Sequence, residues 1–158
     1  MGCGKSTFGK KLANALNYNF IDTDIEIENQ TNKSVYELFN SNGEQYFRSL
    51  EEHWLKEFNG QKNVIATGGG LPCYNDNMEI LNQKGITIYL RRPIKELVNR
   101  LINSKKSRPL IANMSAYELE KYIEHKLVER ECFYNLALIK LSRNNQNVNS
   151  VMKFLESI

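Results

Sequence analysis

The sequence has little cysteine, and what it has is badly placed for a framework. Cys3, Cys73 and Cys132 are odd in number, far apart and without C-x-x-C spacing, which argues against a disulfide scaffold or a zinc site and for three free thiols in a reducing compartment. No run approaches the roughly 20 apolar residues a membrane-crossing helix requires, so a membrane protein is not expected. The start of the chain carries no charged-then-apolar leader, and the cytoplasm is the expected location. An excess of charge of one sign is also missing: 21 Lys and Arg stand against 18 Asp and Glu, for a net charge of +3. Those cations are dispersed rather than arranged in a stripe interleaved with aromatics. A nucleic-acid groove is therefore not expected, whereas anionic small molecules suit the chain as partners. There is no linker, repeat or low-complexity run, and 158 residues fit a single domain with one core.

What is present begins at the first residues. Gly2-Cys3-Gly4-Lys5-Ser6-Thr7 runs directly into the helical pattern Phe8 to Leu16. It reads as the end of a phosphate-binding loop, G-x-x-x-x-G-K-[ST]. In that loop backbone N–H groups cradle phosphates, the Lys reaches the terminal ones and the hydroxyl residue holds magnesium. Glycine lets the backbone approach an anion that a Cβ would obstruct. The helix that follows adds its N-terminal dipole and free N–H groups. The bland alternative is a Gly-rich turn before an ordinary helix, but Gly-Lys-Ser-Thr opens the helix without a spacer. The complete pattern calls for a Gly two residues ahead of Met1 and a buried strand before it.

Further along, Asn19-Phe20-Ile21 reads as a short strand delivering Asp22-Thr23-Asp24 at its C-terminal end, where α/β sheets place their chemistry. Two acids one residue apart at a strand end suit magnesium and the orientation of a hydroxyl. Alternatively, Asp24 only caps the following helix, expected over residues 25–30. Ser34-Val35-Tyr36-Glu37 is a capping box. Gly43 breaks that helix, and Glu44 to Phe58 forms a longer one whose apolar stripe is Phe47, Leu50, Trp54, Leu55 and Phe58, with Trp54 read as core and His53 as polar surface. These helices lie where a minimal α/β unit needs one crossover, which suggests a substrate-binding insertion.

Asn63 to Thr67 reads as a buried strand ending in Gly68-Gly69-Gly70, a stretch where a substrate can press against bare backbone. A helix over 76–83, a strand over 86–90 and a helix over 94–102 continue the βαβ rhythm. Residues 103–114 read as a mobile loop in which Arg108, beside the fixed Pro109, is suited to folding over phosphates, the alternative being a solvated basic loop. A second capping box at Ser115 opens a helix to about Phe133 carrying His125 and Arg130, the latter also suited simply to complement the helix dipole. A strand over 136–141, the loop 142–147 and a closing helix over 148–158 complete the chain. Four strands alternating with helices argue for a mostly parallel sheet covered on both faces, with a further strand expected in the middle.

With these motifs placed, the chain resembles the shikimate kinases, P-loop kinases related to the nucleoside monophosphate kinases. The resemblance rests on Gly4-Lys5-Ser6-Thr7, Asp22-Thr23-Asp24, Gly43-Glu44-Gln45-Tyr46-Phe47-Arg48 with Glu51, Thr67-Gly68-Gly69-Gly70 and Arg108-Pro109-Leu110, in family order over essentially the whole length. It implies a three-layer α/β fold whose mostly parallel sheet has five strands in the family, the first of them lying ahead of these residues. It also implies a helical substrate-binding segment over 23–59 and a lid over 103–114. The implied reaction is phosphorylation of the shikimate 3-hydroxyl by ATP with Mg2+.

By that resemblance Gly2, Gly4, Lys5, Ser6 and Thr7 would hold the nucleotide phosphates, with Ser6 and Asp22 on the metal. Asp24 would orient or deprotonate the attacking hydroxyl. Arg48 and Arg130 would hold the substrate carboxylate, Gly69 and Gly70 would line its pocket, and Phe39 and Phe47 would pack beside its ring. Arg108 would act from the lid, and Asn145 falls in the adenine loop. A monomer is expected.

The sequence departs from the family in two places. The family's R-x-P-L-Y around the second carboxylate-binding arginine appears as Arg130-Glu131-Cys132-Phe133-Tyr134, and the adenine loop, often arginine-bearing, is Asn144-Asn145-Gln146. Family members carry a Met just before Gly-x-Gly-Lys, so Met1 is expected to be that internal residue. The competing readings are a gluconate kinase-like enzyme, which the Gly43 to Arg48 segment and the Gly-Gly-Gly strand end disfavour, and a non-catalytic binding protein of the same fold.

Overall fold

The computed structural model describes residues 2–104, 111 and 113–157. Arg108 and most of the expected lid lie outside them. The described chain runs α1 (Lys5–Leu16), β1 (Asn19–Asp22), α2 (Thr23–Thr31), α3 (Val35–Asn42), α4 (Glu44–Glu57), β2 (Asn63–Ala66), a 3₁₀ turn at Leu71–Cys73, α5 (Asn77–Lys84), β3 (Ile88–Leu90), α6 (Ile94–Ile102), α7 (Ala116–Tyr134), β4 (Ile139–Leu141), a second 3₁₀ turn at Arg143–Asn145, and α8 (Val148–Leu155).

Local chemistry accounts for the element boundaries. Both capping boxes form: Ser34 N–H donates to Glu37 Oε2 at 2.8 Å and Ser115 N–H to Glu118 Oε2 at 2.8 Å, each returned by a helix N–H to the serine Oγ. Gly43 stands between α3 and α4 at φ 82°, with nothing within 4 Å of where a Cβ would stand. Its requirement is therefore conformational, a positive φ that a side chain would resist. At the head of α2 the cap is Asp22, which accepts from Asp24 N–H at 3.3 Å. The cap reading for Asp24 is thus overturned, because the helix starts two residues earlier than its pattern suggested and places Asp24 in the first turn.

The strands form two parallel pairs, β1 with β2 (Asn19 opposite Asn63 through Asp22 opposite Ala66) and β3 with β4 (Ile88 opposite Ile139 through Leu90 opposite Leu141). Among the described residues the two pairs are not hydrogen-bonded to each other. What joins them is apolar packing: Val64 of β2 and Ile88 and Leu90 of β3 share one cluster with Leu12 of α1 and Val151 of α8. The strand period of two sends Ile21 and Ile65 to the opposite face, against Trp54, Leu55 and Phe58 of α4, Leu71, and Ile80 and Leu81 of α5. Helices therefore cover both faces, the arrangement expected for parallel strands, and Trp54 belongs to the core as expected. The α2–α4 segment has a small core of its own, Ile27, Leu38 and Phe47. A fourth cluster, Leu97, Val98, Leu101, Leu119 and Ile123, clamps α6 to α7.

Candidate active site

Parallel pairing brings the carboxyl ends of β1 and β2 side by side, and the chemistry-bearing residues gather there. The two ends are tied by a buried hydrogen bond, Gly68 N–H to Thr23 Oγ1 at 2.9 Å. Thr23, fully buried, thus has a positioning task that its place between two acids did not advertise.

Beyond that tie, three glycines pass through a crowd of charge. A Cβ built on Gly68 would stand 2.5 Å from Glu51 Oε1 and 2.7 Å from Asp24 Oδ1. One on Gly70 would collide with the Arg48 guanidinium, and one on Gly69 would stand 3.4 Å from Arg130 Nη1 and 3.5 Å from the Tyr134 hydroxyl. Two carboxylates from α2 and α4 and two guanidinia from α4 and α7 therefore close around a backbone without side chains. The run is held from outside as well. Tyr134 OH donates to Gly69 O at 2.5 Å, and buried Asn77 donates to Leu71 O at 2.9 Å through its side chain. Arg130 and Tyr134, four residues apart on one helix face, arrive together. So the departure from R-x-P-L-Y keeps the arginine and the tyrosine where the strand end needs them.

Arg48 donates to Glu51 Oε2 at 2.5 Å and to Glu44 Oε1 at 2.8 Å. Its guanidinium carbon lies 5.5 Å from the Phe47 ring centre and 5.7 Å from that of Phe39. Phe39 and Phe47, tilted against each other at 5.0 Å, thus form a paired aromatic surface beside the guanidinium. Glu51 is wholly buried. Burial pushes its carboxyl up to about 7 against the opposing pull of Arg48, and the charge of Asp24 adds to the rise. A visible signal did mark Glu51: it is a charged residue inside the apolar stripe of α4, four after Phe47 and three before Trp54. Burial likewise pushes the Tyr134 hydroxyl up to about 12 and the Cys73 thiol up to about 11, so both stay protonated near neutrality and Tyr134 remains a donor.

The nucleotide-side candidates lie at the head of α1. Gly4 is its N-cap at φ 96°, with no side chain closing the first turn, so the free N–H groups of that turn face outward. Lys5 Nζ lies 3.8 Å from Cys3 Sγ. Ser6 Oγ donates to Asp22 Oδ2 at 2.9 Å, joining the loop to the end of β1, while Thr7 is exposed. Asn145 sits exposed in the second 3₁₀ turn, with its N–H on Ser142 O at 2.9 Å.

A phosphate loop opening a helix, a hydroxyl–carboxylate pair beside it and a substrate-side pocket of paired acids and arginines over parallel strand ends define a small-molecule kinase of the P-loop class. The comparisons make this specific. The family model for shikimate kinase matches residues 1–158. The chain is 43% identical over 157 residues to the shikimate kinase of Azobacteroides pseudotrichonymphae, covering 98% of this chain and 92% of that protein. It is 44% identical over 138 residues to that of Bacteroides fragilis, covering 87% and 77%. Among solved structures, the shikimate kinase of Bacteroides thetaiotaomicron superposes with a TM-score of 0.89 at 38% identity, over 99% of this chain and 93% of the other. The Acinetobacter baumannii enzyme in complex with shikimate superposes with a TM-score of 0.88 at 31% identity, over 99% and 89%. The chain belongs to the shikimate kinase family.

Proposed function

We infer that this chain is an ATP-dependent shikimate kinase, which transfers the γ-phosphoryl group of ATP to the 3-hydroxyl of shikimate and releases shikimate 3-phosphate and ADP, a step toward chorismate and the aromatic amino acids. The observation that carries the reading is the Gly68–Gly70 strand end, closely lined by Asp24, Glu51, Arg48 and Arg130. Shikimate has one carboxylate and neighbouring hydroxyls. Planar guanidinium forks match the former, and a carboxylate acceptor matches the latter.

In this reading Arg48 and Arg130 hold the substrate carboxylate, and Gly69 and Gly70 let the ring lie against backbone. Phe39 and Phe47 brace Arg48, and Asp24 accepts the hydrogen of the attacking hydroxyl, orienting its oxygen toward the γ-phosphorus. Gly2, Gly4, Ser6 and Thr7 hold the phosphates with Lys5, whose ammonium draws charge off the transferring group. Asn145 lies on the adenine side. The segment over 23–59 serves as the acceptor-holding insertion.

Magnesium fits the Ser6–Asp22 pair, since two hard oxygens 2.9 Å apart suit an ion that keeps most of its shell for water and phosphate. Bound there with ATP, it would neutralise charge on the β- and γ-phosphates. The described residues include no helix long and apolar enough to cross a membrane. We propose a cytoplasmic monomer.

The test is ADP release by the purified protein with shikimate or gluconate as acceptor, with products read by mass spectrometry. Shikimate-dependent ADP and a singly phosphorylated shikimate are expected, with gluconate inert. Phosphorylated gluconate without phosphorylated shikimate would overturn the reading.

A further inference from the structure

Glu96 lies in the first turn of α6, and three arginines converge on it. Its Oε1 bonds directly to Arg92 Nη1 and lies 4.0 Å from Arg100 Nη1, while its Oε2 lies 3.5 Å from Arg143 Nε. Oε2 is buried and accepts no hydrogen bond among the described residues. An acidic residue in a first helical turn usually just complements the dipole. That account explains neither the burial nor the three cations.

The arginines explain both through their other ends. Arg92 Nε donates to Cys3 O at 3.0 Å and Arg100 Nε donates to Gly2 O at 2.8 Å, so two successive carbonyls of the loop leading to Lys5 are held by guanidinia that Glu96 collects. Arg100 also stands over Gly4, where an added Cβ would lie 3.2 Å from its Nη2. Arg143 belongs to the 3₁₀ turn Arg143–Asn145. That turn is fixed to the end of β3 by Gln146, whose Nε2 donates to Arg91 O at 3.2 Å. One carboxylate thus links the phosphate loop, the head of α6 and the turn after β4. Three guanidinia without it would repel one another and leave the loop carbonyls. With it, the cluster stays assembled and remains net cationic.

We propose that Glu96 is a positioning residue for the nucleotide half of the site: it holds Arg92 and Arg100 on the carbonyls of Gly2 and Cys3 and fastens the Arg143 turn beside them. The proposal rests on assigning the Gly4–Thr7 loop to ATP. A purely structural Glu96 would, when removed, weaken both substrates alike, whereas a positioning Glu96 affects the nucleotide alone.

The experiment compares wild type, Glu96→Gln, Glu96→Asp, Arg143→Gln and the Glu96→Gln/Arg143→Gln double variant in the full chain, by ADP and shikimate binding calorimetry and by KM for each substrate. Glu96→Gln is expected to weaken ADP binding and raise KM for ATP roughly tenfold, the scale of a charge-assisted hydrogen bond lost. The shikimate constants should stay within about twofold, since the acceptor groups touch none of these residues. Glu96→Asp should recover part of the loss, and Arg143→Gln should add little in the Glu96→Gln background because the link is already broken. An unchanged ADP affinity in Glu96→Gln, or equal losses for ADP and shikimate, would overturn the proposal. Should Glu96→Gln not fold, Glu96→Asp and Arg143→Gln alone decide it by the same split. Wild-type protein that binds ADP but does not phosphorylate shikimate would count against the kinase assignment while leaving the ADP comparison able to judge Glu96.

Discussion

Arg48 Nη1 meets Glu51 Oε2 at 2.5 Å, and while the arginine keeps 12% of its side-chain surface exposed, the glutamate keeps none. The pair turns its cation toward the Gly70 backbone and hides its anion. Glu51 is therefore both the anchor that aims Arg48 and a carboxylate whose charge is costly to bury.

This arrangement predicts a pH dependence of stability. The Glu51 carboxyl sits at an ordinary 4.5 in the unfolded chain and at about 7 in the folded one. Between those values the folded state holds a proton that the unfolded state has released, so raising the pH removes stability until the folded group has also ionised. The expected loss from pH 5 to pH 8 is roughly 3 kcal/mol. Glu51→Gln should flatten that slope. Urea unfolding across this range measures it, and equal slopes for wild type and Glu51→Gln would refute it.

Gly70→Ala separates packing from backbone strain. Gly70 has an ordinary helical backbone, φ −94° and ψ −21°, so alanine costs nothing in conformation, but its Cβ would fall on the Arg48 guanidinium. Because that is the free end of a side chain, the fold survives while the carboxylate fork moves. We expect KM for shikimate to rise about tenfold or more, the scale of a charged hydrogen bond misplaced, with KM for ATP nearly unchanged and the melting temperature lowered as Arg48 is pushed off buried Glu51. Steady-state kinetics with each substrate varied in turn is the check.

Much of this was legible in the sequence, and the failures have physical causes. Helix α6 occurs over the expected residues because a strong apolar stripe and Pro93 define it. Strands β3 and β4 are shorter than their apolar runs. Thr87 has its hydroxyl engaged by Asn82 at 2.5 Å and by Leu138 N–H at 3.0 Å, and Leu136 and Ala137 N–H groups turn back onto the end of α7. Apolar character marked burial there without revealing which partner the backbone takes. In the site, the glycine run and Asp24 could be singled out from local motifs, whereas Arg48 and Arg130 could be named only through the family resemblance. Thr23 and Tyr134 could not be assigned roles, because their partners come from other elements, 45 residues away for Thr23 and Gly68 and 65 for Tyr134 and Gly69.

Tyr134→Phe tests the long-range support. It deletes the bond to Gly69 O while keeping the ring packed on Tyr89 at 5.1 Å. A stability loss of about 1 kcal/mol is expected, typical of one hydrogen bond. A several-fold rise in KM for shikimate should accompany it as Gly69 and Arg130 lose a shared neighbour. Thermal unfolding and kinetics on the same preparation would show it, and unaltered kinetics would reduce Tyr134 to a packing residue.

We propose that nucleotide and acceptor are held by separate sets of residues meeting at the ends of β1 and β2. Lys5→Ala tests it most directly, with phosphoryl transfer from ATP to shikimate measured beside calorimetric shikimate binding. Transfer should be abolished and the shikimate dissociation constant should stay within about twofold of wild type, because among the described residues the Lys5 side chain bonds to Cys3 and to none of the proposed acceptor residues. Near-normal turnover, or loss of shikimate binding in a folded protein, would contradict it.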